Sequence, residues 1–225
     1  MRIFSEQERS VGEIPHAAVA IAVVREGQQH LGILHKQESL DEVKLAHLAW
    51  HNRLKESEPN DCYLWVELPI PAKRARQVAA RCREVLRANE RGGIPYAFSA
   101  PNDCFDEETG RFLLGPSHAG LTCATFVLAI FDYARVPLCI YGSWPNRSGD
   151  AEWQRSIIEQ LKQDDASPEH IAAIEKEVGA LRYRPEDVAG CAASDAIPCS
   201  FEIAEPLSRA ILEKLSIHAN PLRDD

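Results

Sequence analysis

The sequence predicts an α+β protein in which strands come first and helices follow, and three features carry that expectation. From Ile14 to Leu68, apolar and β-branched runs are separated by short turn clusters. Ala119 to Arg135 (AGLTCATFVLAIFDYAR) is apolar almost all round, as a helix buried in the middle of a fold must be. Beyond Gly142, apolar residues recur at helical spacing instead of alternating.

Taken in order, Ile14 to Val24 (IPHAAVAIAVV) reads as a buried strand stopped by the turn pair Glu26-Gly27. Gln29 to Lys36 (QHLGILHK) returns as its hairpin partner. Val43 to His51 (VKLAHLAWH) reads as a third strand, although its Ala and Leu content also permits a helix. Glu56 to Asp61 is a turn cluster, and Cys62 to Leu68 (CYLWVEL) resumes as a strand rich in aromatic and branched residues. Short connections throughout predict an antiparallel meander.

After Pro71 the period changes. Val78, Cys82, Val85 and Leu86 share a helical face ringed by Lys73, Arg74, Arg76, Arg81, Arg83 and Arg87, and Gly92-Gly93 ends the helix. Ile94 to Ser117 is irregular, a loop long enough to invite a functional reading. The buried helix follows, stopped by Pro137, with a short strand expected at Leu138 to Tyr141. Trp153, Ile157, Ile158 and Leu161 then share a face; Ser167-Pro168-Glu169 is a helix start, and Pro206 to Ile217 a last helix. The expected organisation is a core over 1–142 and a helical appendage over 143–225.

Whole-chain properties narrow the function classes. The chain has 225 residues, 45% hydrophobic and 26% charged, which suits one medium domain with a real core. A net charge of -9 disfavours nucleic acid as a partner. No apolar run reaches the roughly 18 residues of a membrane span, and the polar first residues lack a secretory signal, so a cytoplasmic location is expected. Seven cysteines without a CxxC pair fit reduced thiols better than a disulfide framework or a structural zinc site.

Cys123 stands out among them. It sits at the start of the buried helix, behind the loop Gly115 to Gly120. There the unpaired N–H groups and partial positive charge of a helix N-terminus favour thiolate and can hold an oxyanion. A small buried cysteine is also common packing material. Of eight histidines, His47 lies mid-strand among apolar neighbours, where a buried ring must find a partner, so it is the expected base. With a turn at Lys55 to Asp61, the next strand would bring Trp65 or Glu67 opposite His47, and Glu67 could orient the ring. A core histidine and a surface acid are the plain alternatives for these two.

Gly120 to Leu138 (GLTCATFVLAIFDYARVPL) resembles the nucleophile segment of the NlpC/P60 superfamily of papain-like cysteine peptidases and amidases. Gly92 to Ser99 (GGIPYAFS) resembles the segment whose tyrosine lines the site there, the match being Tyr96. Because the only good histidine strand precedes the cysteine helix, the order is similar to the permuted branch of YiiX-like and lecithin:retinol acyltransferase-like proteins. The resemblance covers roughly residues 16–141 and implies a permuted papain-like fold. It also implies a site of Cys123, His47 and a polar third residue, with Tyr96 shaping it and a peptide, amide or other acyl group as substrate. Thr122-Cys123-Ala124 stands where Asp-Cys-Ser is usual, and His51 is an alternative to Glu67 as third residue. No cofactor or metal is implied.

Two rivals follow from the same residues. His47 and His51 have the spacing of a helical zinc pair, but Leu48 stands where a metalloprotease has its glutamate. A non-catalytic protein-binding module could keep the same scaffold, and an acyltransferase or thioesterase could use the same site.

Overall fold

The computed structural model describes residues 2–25, 27–36, 42–115 and 118–218. It is a mixed α+β structure built on a six-stranded antiparallel sheet with six helices among the described residues. The strands are β1 (Ile3–Phe4), β2 (Ala17–Arg25), β3 (Gln28–Lys36), β4 (Val43–Trp50), β5 (Arg53–Ser57) and β6 (Leu64–Glu67). Their order across the sheet is β1-β6-β2-β3-β4-β5.

The hairpin at Gly27 forms as expected, with Ala17 paired to His35 and Ile21 to Leu31. The simple meander does not. Residues 53–57, of which Lys55 onward were expected to lie in a turn, form β5 and take the free edge of β4, pairing Lys55 with His47. β6 therefore crosses back to the other side of the hairpin and pairs with β2. Charged side chains on an edge strand hide it from a hydrophobic-pattern reading.

Each strand splits its residues between two faces. Leu31, Ile33, Ala46 and Leu48 face a large core shared with the helices, while Leu34, Leu45, Ala20 and Trp65 face a smaller one closed by Ile14, Phe4 and Val11. Helices α1 (Ala72–Ala88) and α2 (Cys123–Tyr133) lie on the large-core face, and α2 is buried from Cys123 to Phe131. Leu138 to Tyr141 forms no strand, only a bridge between Cys139 and Cys199.

The remaining helices are α3 (Asp150–Gln163), α4 (Pro168–Glu175), α5 (Pro185–Ala193) and α6 (Phe201–His218). Ser167 caps α4 as its sequence requires. These helices are not an appendage. Ile157, Leu161, Ile174, Val188 and Cys191 belong to the same continuous core as α2 and the sheet. No helix among the described residues is long and apolar enough to cross a membrane.

Candidate functional site

Local sequence fixes where Cys123 stands. Thr122 caps α2, its Oγ1 accepting the Thr125 N–H at 3.1 Å while its own N–H donates to Thr125 Oγ1 at 2.8 Å. Just before it, the Leu121 N–H donates to the Pro95 carbonyl at 2.9 Å and the Ala97 N–H to the Leu121 carbonyl at 3.3 Å. This close approach needs Gly120, because a Cβ there would lie 2.2 Å from the Pro95 oxygen. The loop strand carrying Tyr96 is thereby held against the start of α2.

Cys123 and Tyr96 line one cavity of about 380 Å³, together with His30, Trp50, Trp153 and Arg182. The Tyr96 ring lies 4.8 Å from that of Trp50, whose indole N–H donates to Asp164 Oδ2 at 2.8 Å. The Arg182 guanidinium stacks on Trp153 with Cζ 3.6 Å from the ring centre. Helix α3 and the segment before α5 thus supply part of the wall.

The Cys123 side of this cavity is tightly enclosed, the residue being 7% exposed. Burial pushes its thiol up to about 11, against the downward pull of the Leu31 and Ala124 N–H groups and the Arg182 charge. The resting sulfur is therefore a thiol, with stabilisers for the thiolate already in place. No hydrogen bond joins it to an imidazole among the described residues.

His47 is not beside Cys123. Strand alternation sends it to the face of Val43 and Leu45, whereas Ala46 and Leu48 face α2. Its partner is His30, whose Nε2 lies 2.8 Å from His47 Nδ1. Burial lowers His30 to about 3, helped by the neighbouring His47, and lowers His47 to about 4, helped by Lys55. His30 pairs with Ala22 and so shares the sheet face of Leu34 and His47, opposite α2; it lines the cavity only because it sits near the end of the sheet where the β2–β3 hairpin turns.

Glu67 does not orient His47. It pairs with Ala18 on β2, so β2 and β3 lie between it and β4, and its carboxylate meets Arg9 Nη1 at 3.1 Å. The reason is β5, which occupies the place beside β4 that β6 was expected to fill. The alternative third residue, His51, accepts the Tyr96 N–H at 3.3 Å and lies 4.5 Å from the His170 ring. His170, expected to be solvated, instead donates from Nε2 to the Tyr96 carbonyl at 2.9 Å. The two rings clamp the Tyr96 backbone rather than the nucleophile.

The zinc spacing of His47 and His51 loses its basis because β4 is extended and not helical. All seven cysteines are free, and all except Cys62 are buried. His30, Trp50, Trp153 and Arg182 were not among the expected site residues. His30 needed the sheet register, and Arg182 needed the fold of the segment before α5. Comparison of the chain with family models, with curated proteins and with solved structures returns no match.

Proposed function

We propose that the chain is a cysteine hydrolase cleaving an amide or related acyl bond, on a permuted papain-like core, with Cys123 as nucleophile. The observation that carries this reading is the position of the Cys123 sulfur. It opens a buried helix, forms part of a cavity wall, and has the Leu31 and Ala124 N–H groups and the Arg182 charge acting in favour of thiolate.

We assign the role of base to His30 in place of His47: both rings share one sheet face, but His30 alone of the two lines the cavity, at its hairpin end, and His47 becomes its positioning partner. His30 takes the thiol proton as the sulfur adds to the carbonyl carbon. The oxyanion draws on the free N–H groups at the start of α2. Its collapse breaks the bond to the leaving amine or alcohol, which takes the proton back from His30. Water then attacks the thioester, releasing acid and restoring the thiol. A different acceptor at that last step would make the same site an acyltransferase, and a thioester substrate with a thiol leaving group would make it a thioesterase. Tyr96 and Trp50 form an aromatic wall for the acyl group.

The test is incubation with p-nitrophenyl acetate, following p-nitrophenolate release and locating the acetyl group by peptide mass spectrometry. Acetyl-Cys123 that forms and decays with turnover supports the reading. Release without acetyl-Cys123, equal in Cys123→Ala, contradicts it.

A second reading has its own observation. A thiol held at about 11 with no imidazole bonded to it is also what a non-catalytic binding module would contain. In that case the cavity binds a ligand and leaves it unchanged.

A further inference from the structure

We infer that the Cys123 cavity takes a ligand bearing a carboxylate or similar anionic group, anchored by the guanidinium of Arg182. This rests on the preceding reading only in placing the ligand beside Cys123, and it adds the chemical class.

Arg182 lies on the cavity wall with its side chain 15% exposed. An arginine so enclosed ordinarily spends its five N–H donors on acceptors around it. Here Nη1 alone reaches one, Asp150 Oδ1 at 3.3 Å, a long contact. Nε and Nη2 meet no acceptor among the described residues, and both keep some contact with solvent.

Nor does Asp150 belong to Arg182. Its Oδ1 accepts Arg184 Nη2 at 2.9 Å and Nε at 3.2 Å, and its Oδ2 lies 3.6 Å from Arg147 Nε. Arg147 also pairs with Asp187 at 2.8 Å. Glu186, the other acid acting on Arg182, is itself raised by burial, which favours its neutral form. Across the cavity, Asp164 is occupied by the Trp50 indole.

The guanidinium is also fixed in place. Held over the Trp153 ring with Cζ 3.6 Å from its centre, it can present its unused N–H groups without first being ordered. A planar fork with free N–H groups matches a carboxylate bidentately.

Iodoacetate and iodoacetamide test this directly, since they are nearly isosteric and differ in carrying a carboxylate or a neutral amide. With either reagent the sulfur forms an S–C bond, iodide leaves, and the thiol proton passes to solvent. The ratio of the two rates at Cys123 cancels the thiolate fraction and reads ligand preference alone. Expressed against the same ratio for glutathione, it should favour iodoacetate by about tenfold, the scale of a charge-assisted hydrogen bond. Arg182→Gln should return the ratio to the glutathione value.

Should that variant fail to fold, a fall of the wild-type ratio with added salt reads the same charge. Labelling of Cys123 by both reagents at the glutathione ratio, insensitive to salt, overturns the anion site and leaves the nucleophile standing. Failure of both reagents to label Cys123 in the folded protein overturns the nucleophile and the inference with it.

Discussion

His30 and His47 meet across adjacent strands, with Nε2 of one 2.8 Å from Nδ1 of the other, and burial keeps both rings neutral where a free imidazole would charge. One ring must donate and the other accept, so protonating both would break the bond and place like charges together.

That relationship predicts a stability that falls with acid. The native values of about 3 and 4 lie below the ordinary 6.5, so between those limits the unfolded chain binds protons that the native chain refuses. The stability present above pH 6.5 is lost progressively as pH falls towards the native values. Lowering pH from 7 to 5 should cost about 1–2 kcal/mol per ring. Urea midpoints at the two pH values check this. A parent whose midpoint stays flat, or drops no more than that of a His30→Gln, His47→Gln double variant, would remove the neutral pair from the account.

Glu67→Gln should leave the reactivity of Cys123 unchanged. The substitution removes only the solvent-screened pair with Arg9. Alkylation rates of Cys123 in parent and variant decide it, and a large fall would return Glu67 to the site.

Gly120→Ala should be costly although it adds one carbon. The new Cβ would stand 2.2 Å from the Pro95 oxygen, so the loop carrying Tyr96 must move away from α2. A loss of about 1–3 kcal/mol is expected, together with easier reagent access to Cys123. A thermal midpoint equal to the parent's would show that the two segments are not held as tightly as described.

Much of this arrangement was legible in the residues. The β2–β3 hairpin followed from IPHAAVAIAVV and its turn at Gly27, and the burial of α2 followed from its unbroken apolar circumference. The Ser167 cap fixed α4 to the residue. The segments around Cys123 and Tyr96 single these two residues out, and the structure brings both to one cavity.

The misplacement of β6 and of Glu67 has one cause. Arg53–Ser57 is a polar edge strand, and its pattern carries no buried face to detect. Missing it displaced β6 by two strands and gave His47 the wrong partner. α5 was missed because Pro185 to Ala193 is short, contains Gly190, and buries two acids, although Pro185 followed by Glu186 and Asp187 is a helix start. The face on which a strand histidine emerges depends on register, which no local pattern specifies.

The most direct test is the rate of iodoacetamide alkylation of Cys123 at neutral pH, resolved from the other six cysteines by mass spectrometry, in the parent and in His30→Gln. The account predicts that Cys123 reacts ahead of the buried thiols. In the variant it should slow by about a hundredfold, the lower range of general-base assistance, with thermal stability retained. An equal rate in parent and variant would contradict it, leaving Cys123 an ordinary thiol in the wall of a binding pocket.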